Sequence, residues 1–116
     1  MEARALKKHI RSSPRKMRLV IDLIRGKRAT DAINILKLSP QIAARVAEMT
    51  LRSAISNLNN KAFDEDQHLA DNDIYVKEIL VNQGPTMRRI QPAPMGRAFR
   101  IRKRSNHLTI VVATKN

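Results

Sequence analysis

The run GPTMRRIQPAPMGRAFRIRKRS, residues 84–105, decides how the rest of this chain is read. It holds seven arginines and lysines and no acidic residue, and three prolines and two glycines break it up. Nothing in it can build a core. IYVKEILV (74–81) stands before it and HLTIVVAT (107–114) after it, both rich in the β-branched and apolar residues that suit strands. In the first, Ile74, Val76 and Leu80 are expected on one face. In the second, Leu108, Ile110 and Val112 step by two. Arg100, Arg102 and Arg104 step by two as well, so they are expected to project from one face of a strand running into HLTIVV. The pattern predicts one long antiparallel hairpin from Ile74 to Thr114, with its tip inside the quoted run. Arms of about 15–18 residues at ~3.3 Å per residue reach roughly 50–60 Å, against a radius of gyration of about 13 Å for a 100-residue domain. A two-stranded ribbon is marginal in water, and this one repels itself. A partner outside the chain is expected to hold it.

The length, 116 residues, suits one domain. The expected division is a globular body of residues 1–83 and 105–116 and an arm of about 84–104. One Tyr, two Phe and no Trp leave the core to Leu, Ile, Val, Ala and Met. The absence of cysteine excludes disulfides and thiolate metal sites. No apolar run reaches the ~20 residues that span a bilayer, and MEARALKKHIR (1–11) is not followed by an apolar signal core, so neither a membrane nor secretion is expected. Net charge is +13, and its distribution is uneven. Residues 1–28 carry ten basic and two acidic side chains, residues 29–78 five and eight, and residues 79–116 eight and none. Two cationic ends on an ordinary middle repel each other unless a polyanion relieves them, and nucleic acid is the commonest such partner. Solubility alone does not require both ends to lose their acids.

The remaining elements follow from local signals. Residues 2–10 read as a short edge strand, with Ala3 and Ala5 alternating against Arg4 and Leu6. In SSPRKMRLVIDLIRGK (12–27), Ser13 suits an N-cap and Pro14 the first helical position. Met17, Val20, Ile21 and Ile24 fall at helical spacing, and Gly26 is placed to end the helix, giving Pro14–Arg25. Its first turn carries Arg15, Lys16 and Arg18, where the helix dipole favours acids. That reversal suggests an external anion. Thr30 is expected to cap a second helix, TDAINILKL (30–38). Ser39-Pro40 separates it from a third, SPQIAARVAEMTLRSAISNLNN (39–60). There Ile42, Val46, Met49 and Leu58 mark the apolar face, and Ala43, Ala47 and Ala54 lie beside it, where small residues let a neighbouring element approach. Residues 59–73 hold five acids and no glycine. They read as a solvated loop that does not match a calcium-loop spacing.

No active site emerges, so enzyme activity is not expected. His9, His68 and His107 sit in separate segments without metal-ligand spacing. The serines show no nucleophile-elbow pattern, and three glycines in all leave no phosphate-cradling loop. No metal or cofactor is expected. What remains is basic. Between Arg88 and Arg104 there are six arginines and one lysine, and guanidinium forks bind phosphate bidentately where plain solubility needs only point charges. Phe99 is the one aromatic nearby, so a single-strand stacking platform is disfavoured. Structured RNA held by shape and backbone fits better. If six residues pair with phosphates, log K falls against log salt with a slope of about −4 to −5. Two DNA readings compete. A helix-turn-helix from the second and third helices needs polar base readers, whereas Ile42, Ala43, Ala44, Val46 and Ala47 suit a core. An architectural DNA-binding protein with a Pro-tipped basic β-arm is the alternative, usually as a dimer.

Four stretches carry a resemblance: SSPRKMRLVIDLIRGK (12–27), SAISN (53–57), NQGPTMRRIQPAPMGRA (82–98) and RIRKRSNHLTIVV (100–112). Together they are collinear with large-subunit ribosomal protein twenty-two, and the chain resembles that family over nearly its whole length. The pattern Gly84-Pro85-x-Met87-Arg88-Arg89, followed by Gly96-Arg97-Ala98-x-Arg100-Ile101-x-Lys103-Arg104, is highly specific. The resemblance implies an α+β body, three helices packed on a small three-stranded antiparallel sheet, with a long protruding β-hairpin. It implies a cytoplasmic, ribosome-bound structural protein of the bacterial or organellar type that binds several domains of large-subunit ribosomal RNA and acts early in subunit assembly. The body would lie near the peptide exit. The hairpin tip would line the exit tunnel beside other large-subunit ribosomal proteins and the nascent peptide, in a region associated with macrolide resistance. No homo-oligomer is expected. Carried onto this chain, the tip is Met87, Arg88, Arg89, Ile90, Gln91, Pro92, Met95, Gly96 and Arg97. The RNA-clamping arms carry Arg100, Arg102, Lys103 and Arg104, and the body's RNA-facing set is Arg11, Arg15, Lys16, Arg18, Arg25 and Lys27. One departure stands out. Bacterial members commonly read Pro-Arg-Ala where this chain reads Pro92-Ala93-Pro94, so no RNA or tunnel contact is carried onto residue 93, and the second proline is expected to stiffen the tip.

Overall fold

The local signals around Ser13 hold at short range. In a computed structural model, which describes residues 1–65, 73–92, 96 and 98–114, β1 (Glu2–Ile10) leads into α1 (Pro14–Ile21). Pro14 opens the helix, and Ser13 Oγ accepts the Lys16 N–H at 3.3 Å. Met17, Val20 and Ile21 are buried. The helix is shorter than the spacing predicted. Beyond Ile21 the backbone tightens, the N–H groups of Leu23 and Ile24 donating to Val20 O and Ile21 O at 3.2 and 3.1 Å, the i→i+3 pattern of a 3₁₀ turn. The tighter winding still delivers Ile24 to the core. Gly26 then takes φ +72°, a left-handed conformation that glycine adopts without a Cβ penalty.

α2 (Ala29–Leu38) and α3 (Ile42–Asp64) follow. Arg28, not Thr30, occupies the N-cap of α2, with no side-chain bond. α3 runs into the segment read as loop, so residues 59–64 are helical and most of the remaining expected loop lies outside the described residues. The buried face of α3 is also rotated from the expected one. Ala44, Ala47, Thr50, Leu51, Ala54, Leu58 and Ala62 point inward, while Ile42 and Met49 are 85% and 72% exposed. Close approach decides this. A stripe of alanines lets α3 lie low against the sheet and the other helices, where longer side chains would hold it off.

Three strands make the body sheet, in the order β1–β5–β2 with β2 at Ile74–Gln83 and β5 at Asn106–Thr114, all antiparallel. Leu108, Ile110 and Val112 of the central strand face the helices, as their alternation predicted. β2 departs from simple alternation. Its register shifts between Val76 and Glu78, and the extra residue reverses the parity of everything after it. Ile79 and Val81 therefore join Ile74 and Val76 in the core, and Leu80, expected inside, is 46% exposed. Both sheet edges receive side-chain donors. On β1, Asn57 Nδ2 and Lys61 Nζ of α3 reach Arg4 O and Glu2 O at 3.0 and 3.1 Å.

A second, two-stranded sheet continues outward from β2 and β5. β3 (Met87–Pro92) pairs antiparallel with β4 (Ala98–Lys103), from Met87 opposite Lys103 to Pro92 opposite Ala98. At the junction, Gly84 N–H donates to Ser105 O at 2.9 Å and Ser105 Oγ donates to Pro85 O at 2.6 Å. A Cβ on residue 84 would stand 2.6 Å from Ser105 Oγ and 3.2 Å from the His107 ring, so a larger residue would force the Ser105 hydroxyl away from Pro85 O. The molecule measures 67 × 26 × 15 Å. The architecture is α+β: three helices on a three-stranded antiparallel sheet, with a two-stranded sheet beside it.

Candidate nucleic-acid interface

The pairing of β3 with β4 sorts the arm's cations onto faces. Arg88 stands opposite Arg102 and Ile90 opposite Arg100, and side chains two apart share a face, so one face presents three guanidiniums around Ile90. The other sets Met87 against Lys103 and Arg89 against Ile101. Arg88, Arg89, Arg100, Arg102, Lys103 and Arg104 are all exposed. Ile90 is 73% exposed and Met87 52%. Like charges directly opposite across a strand pair destabilise it by roughly 0.2–1 kcal/mol, and residues 84–105 contain no acid to offset this. Arg104 was expected to continue the two-residue step. β4 ends at Lys103, which leaves Arg104 at the junction beside Ser105. Gly96 takes φ +71°. Met95, Arg97 and the Ala93-Pro94 departure lie outside the described residues.

On the body, Arg11, Arg15 and Lys16 are exposed around the start of α1, whose first turn holds no acid. Lys27 is exposed as well, with its carbonyl accepting Val76 N–H at 2.9 Å. Arg18 and Arg25 are exposed too, but unlike these four they donate from their side chains to backbone carbonyls of β2. Arg18 Nη2 donates to Val81 O at 3.1 Å, and Arg25 Nη1 donates to Ile79 O at 2.8 Å. Arg25 Nε also reaches Asp22 Oδ1 at 3.1 Å. Sequence reasoning had no signal for this, because which carbonyls of β2 face outward depends on the bulge and on β5 taking the other edge.

Elsewhere the electrostatics are ordinary. Among the described residues the ion pairs are Arg25–Asp22, Arg52–Glu48 and Lys77–Glu2. In the last, a 2.6 Å hydrogen bond from Lys77 Nζ holds the Glu2 carboxyl below its usual range and raises the ammonium of Lys77. No group of three or more His, Asp or Glu side chains is gathered among the described residues in a way that could hold a metal. His9 and His107, far apart in sequence, do meet, edge to face at 4.9 Å, with His9 N–H donating to His107 Nδ1 at 3.0 Å. With that nitrogen accepting a backbone bond, the pair packs β1 onto the arm's root. No helix of the described residues is long and apolar enough to cross a membrane.

Residues 5–113 match the model of the family described as ribosomal protein L22p/L17e. The chain belongs to this family. A relative from Chlorobium phaeobacteroides (strain BS1) is 53% identical over 116 residues, covering all of this chain and 97% of its own length. One from Bifidobacterium longum (strain DJO10A) is 49% identical over 115 residues, 99% of this chain and 97% of the relative. One from Chlorobaculum tepidum is 53% identical over 112 residues, 97% and 92% respectively. Each is named large ribosomal subunit protein uL22. The matched region takes in both basic groups, the start of α1 and the whole of β3 and β4.

Proposed function

We propose that this chain is a structural, non-enzymatic constituent of the large ribosomal subunit, acting in the cytoplasm as part of the ribosome. It binds large-subunit ribosomal RNA in two ways. The start of α1 (Arg11, Arg15, Lys16 and, behind them, Lys27) lies against phosphates, and the β3–β4 arm enters between RNA segments. The observation that carries this reading is the facing of Arg88 and Arg102 across a ribbon with no acid, an arrangement that gains its stability from an external polyanion. On the same reading the body, residues 1–83 and 105–116, sits near the peptide exit. The arm's tip, including Met95 and Arg97, lines the exit tunnel beside another ribosomal protein and the nascent peptide. The chain joins early in assembly as a single copy. Family membership supports these finer points.

The test is a titration of the full chain onto transcribed large-subunit ribosomal RNA across a salt series. A slope of log K against log salt of about −4 to −5 is expected, with folded RNA preferred over duplex DNA. Salt-independent binding, or equal affinity for duplex DNA, would contradict it. The helix-turn-helix reading is disfavoured by α3, whose Ala44 and Ala47 are fully buried.

A further inference from the structure

Arg18 and Arg25 resemble two more phosphate contacts in the sequence. We propose that they are positioning residues, which fix the strand that carries the arm against the helix that opens the body's basic surface. β2 is an edge strand, since β5 occupies its other side. The segment 18–28 runs along its open edge in the opposite direction. Arg18 takes Val81 O, Arg25 takes Ile79 O, Lys27 O takes Val76 N–H, and Arg28 bridges Tyr75. Carbonyls two residues apart lie on the same edge of a strand, so the two guanidiniums cap successive outward carbonyls where another chain could otherwise pair. Arg25 binds a carbonyl and the Asp22 carboxylate at once, which a planar fork can do and a lysine ammonium cannot do as rigidly.

The consequence reaches the arm. β2 passes through Gly84 into β3, and the Gly84–Ser105 crossing leaves little slack there. Rotation of β2 against α1 therefore swings the arm relative to Arg15 and Lys16. Clamping 79 and 81 to 25 and 18 sets the angle between the two basic surfaces before either meets RNA. This role rests on the RNA-binding reading for its purpose, but its geometry is testable without RNA.

The experiment uses the full chain, which has no native cysteine to compete for labels. Leu19→Cys on α1 and Met87→Cys at the start of β3, both at exposed sites, carry the two labels. Introducing Arg18→Gln and Arg25→Gln together broadens the distribution of label–label distances and lowers the melting temperature by about 4–8 °C. The salt slope for large-subunit ribosomal RNA stays within about 0.3 of the parent's, because no phosphate contact is lost. An unchanged distance distribution overturns the proposal. So does a slope shallower by about 1.5, the mark of two lost phosphate contacts. If the parent chain binds no RNA, the functional reading fails, and the distances still decide the positioning role.

Discussion

At the scale of single residues, the tightest constraint is at the arm's root. Gly84→Ala places a methyl group against Ser105 Oγ and the His107 ring, and overpacking of this kind costs about 1–3 kcal/mol. Urea unfolding should show that loss. Part of it should return in Gly84→Ala/Ser105→Ala, because the second change removes the clashing oxygen, and a double-mutant cycle reads the coupling. A different residue-scale effect lies in Glu2. Its carboxyl is held below its ordinary value by the hydrogen bond and charge of Lys77, so its contribution to stability is present above the usual carboxylate range and is lost as pH falls through the lowered value. Glu2→Gln should thus lower the melting temperature slightly at pH 7 and not at all near pH 2, and added salt should erase the difference, since both partners are about half exposed. Ser13 and Pro14 were legible in the sequence because capping is local. The demands on Gly84 were not, because Ser105 and His107 arrive from the far side of the arm.

At the scale of elements, legibility depended on whether one neighbour or several decide the answer. β5 read correctly because the register shifts in its two pairings fall in β1 and β2, which leaves its own alternation intact. β2 did not, since a single bulge beyond Val76 exchanged its faces. α3 misled for another reason. Two of its large apolar side chains, Ile42 and Met49, were assigned to the core, whereas the alanine stripe allows the closer packing. Two substitutions separate these cases. Ala47→Leu forces a branched side chain into a fully buried contact and should cost about 1–3 kcal/mol, while Met49→Ala should stay within about 0.5 kcal/mol in denaturant unfolding. The antiparallel pairing of β3 with β4 was legible in the two-residue step of Arg100 and Arg102. The use of Arg18 and Arg25 inside the fold was not, because it depends on an edge that appears only after three strands assemble.

At the scale of the whole molecule, the two structures within one chain are stabilised differently. The body buries Met17, Ile21, Leu51, Leu58, Ile79, Leu108 and Ile110 completely. Among its described residues the arm has no fully buried side chain, and it sets like charges against each other. Removing an arm guanidinium should therefore leave the body untouched. Arg88→Ala is expected to unfold in denaturant within about 0.5 kcal/mol of the parent while binding large-subunit ribosomal RNA more weakly, and a collapse of the body in that variant would contradict the division of labour. On the proposed function, RNA supplies the core that the arm lacks. Amide hydrogen exchange of the free protein and of its complex with large-subunit ribosomal RNA tests it most directly. Body strands are expected to be protected in both states, and β3 and β4 to exchange rapidly alone but slowly in the complex. Arm amides as protected in the free protein as those of β5, or left unprotected on the RNA, would contradict it.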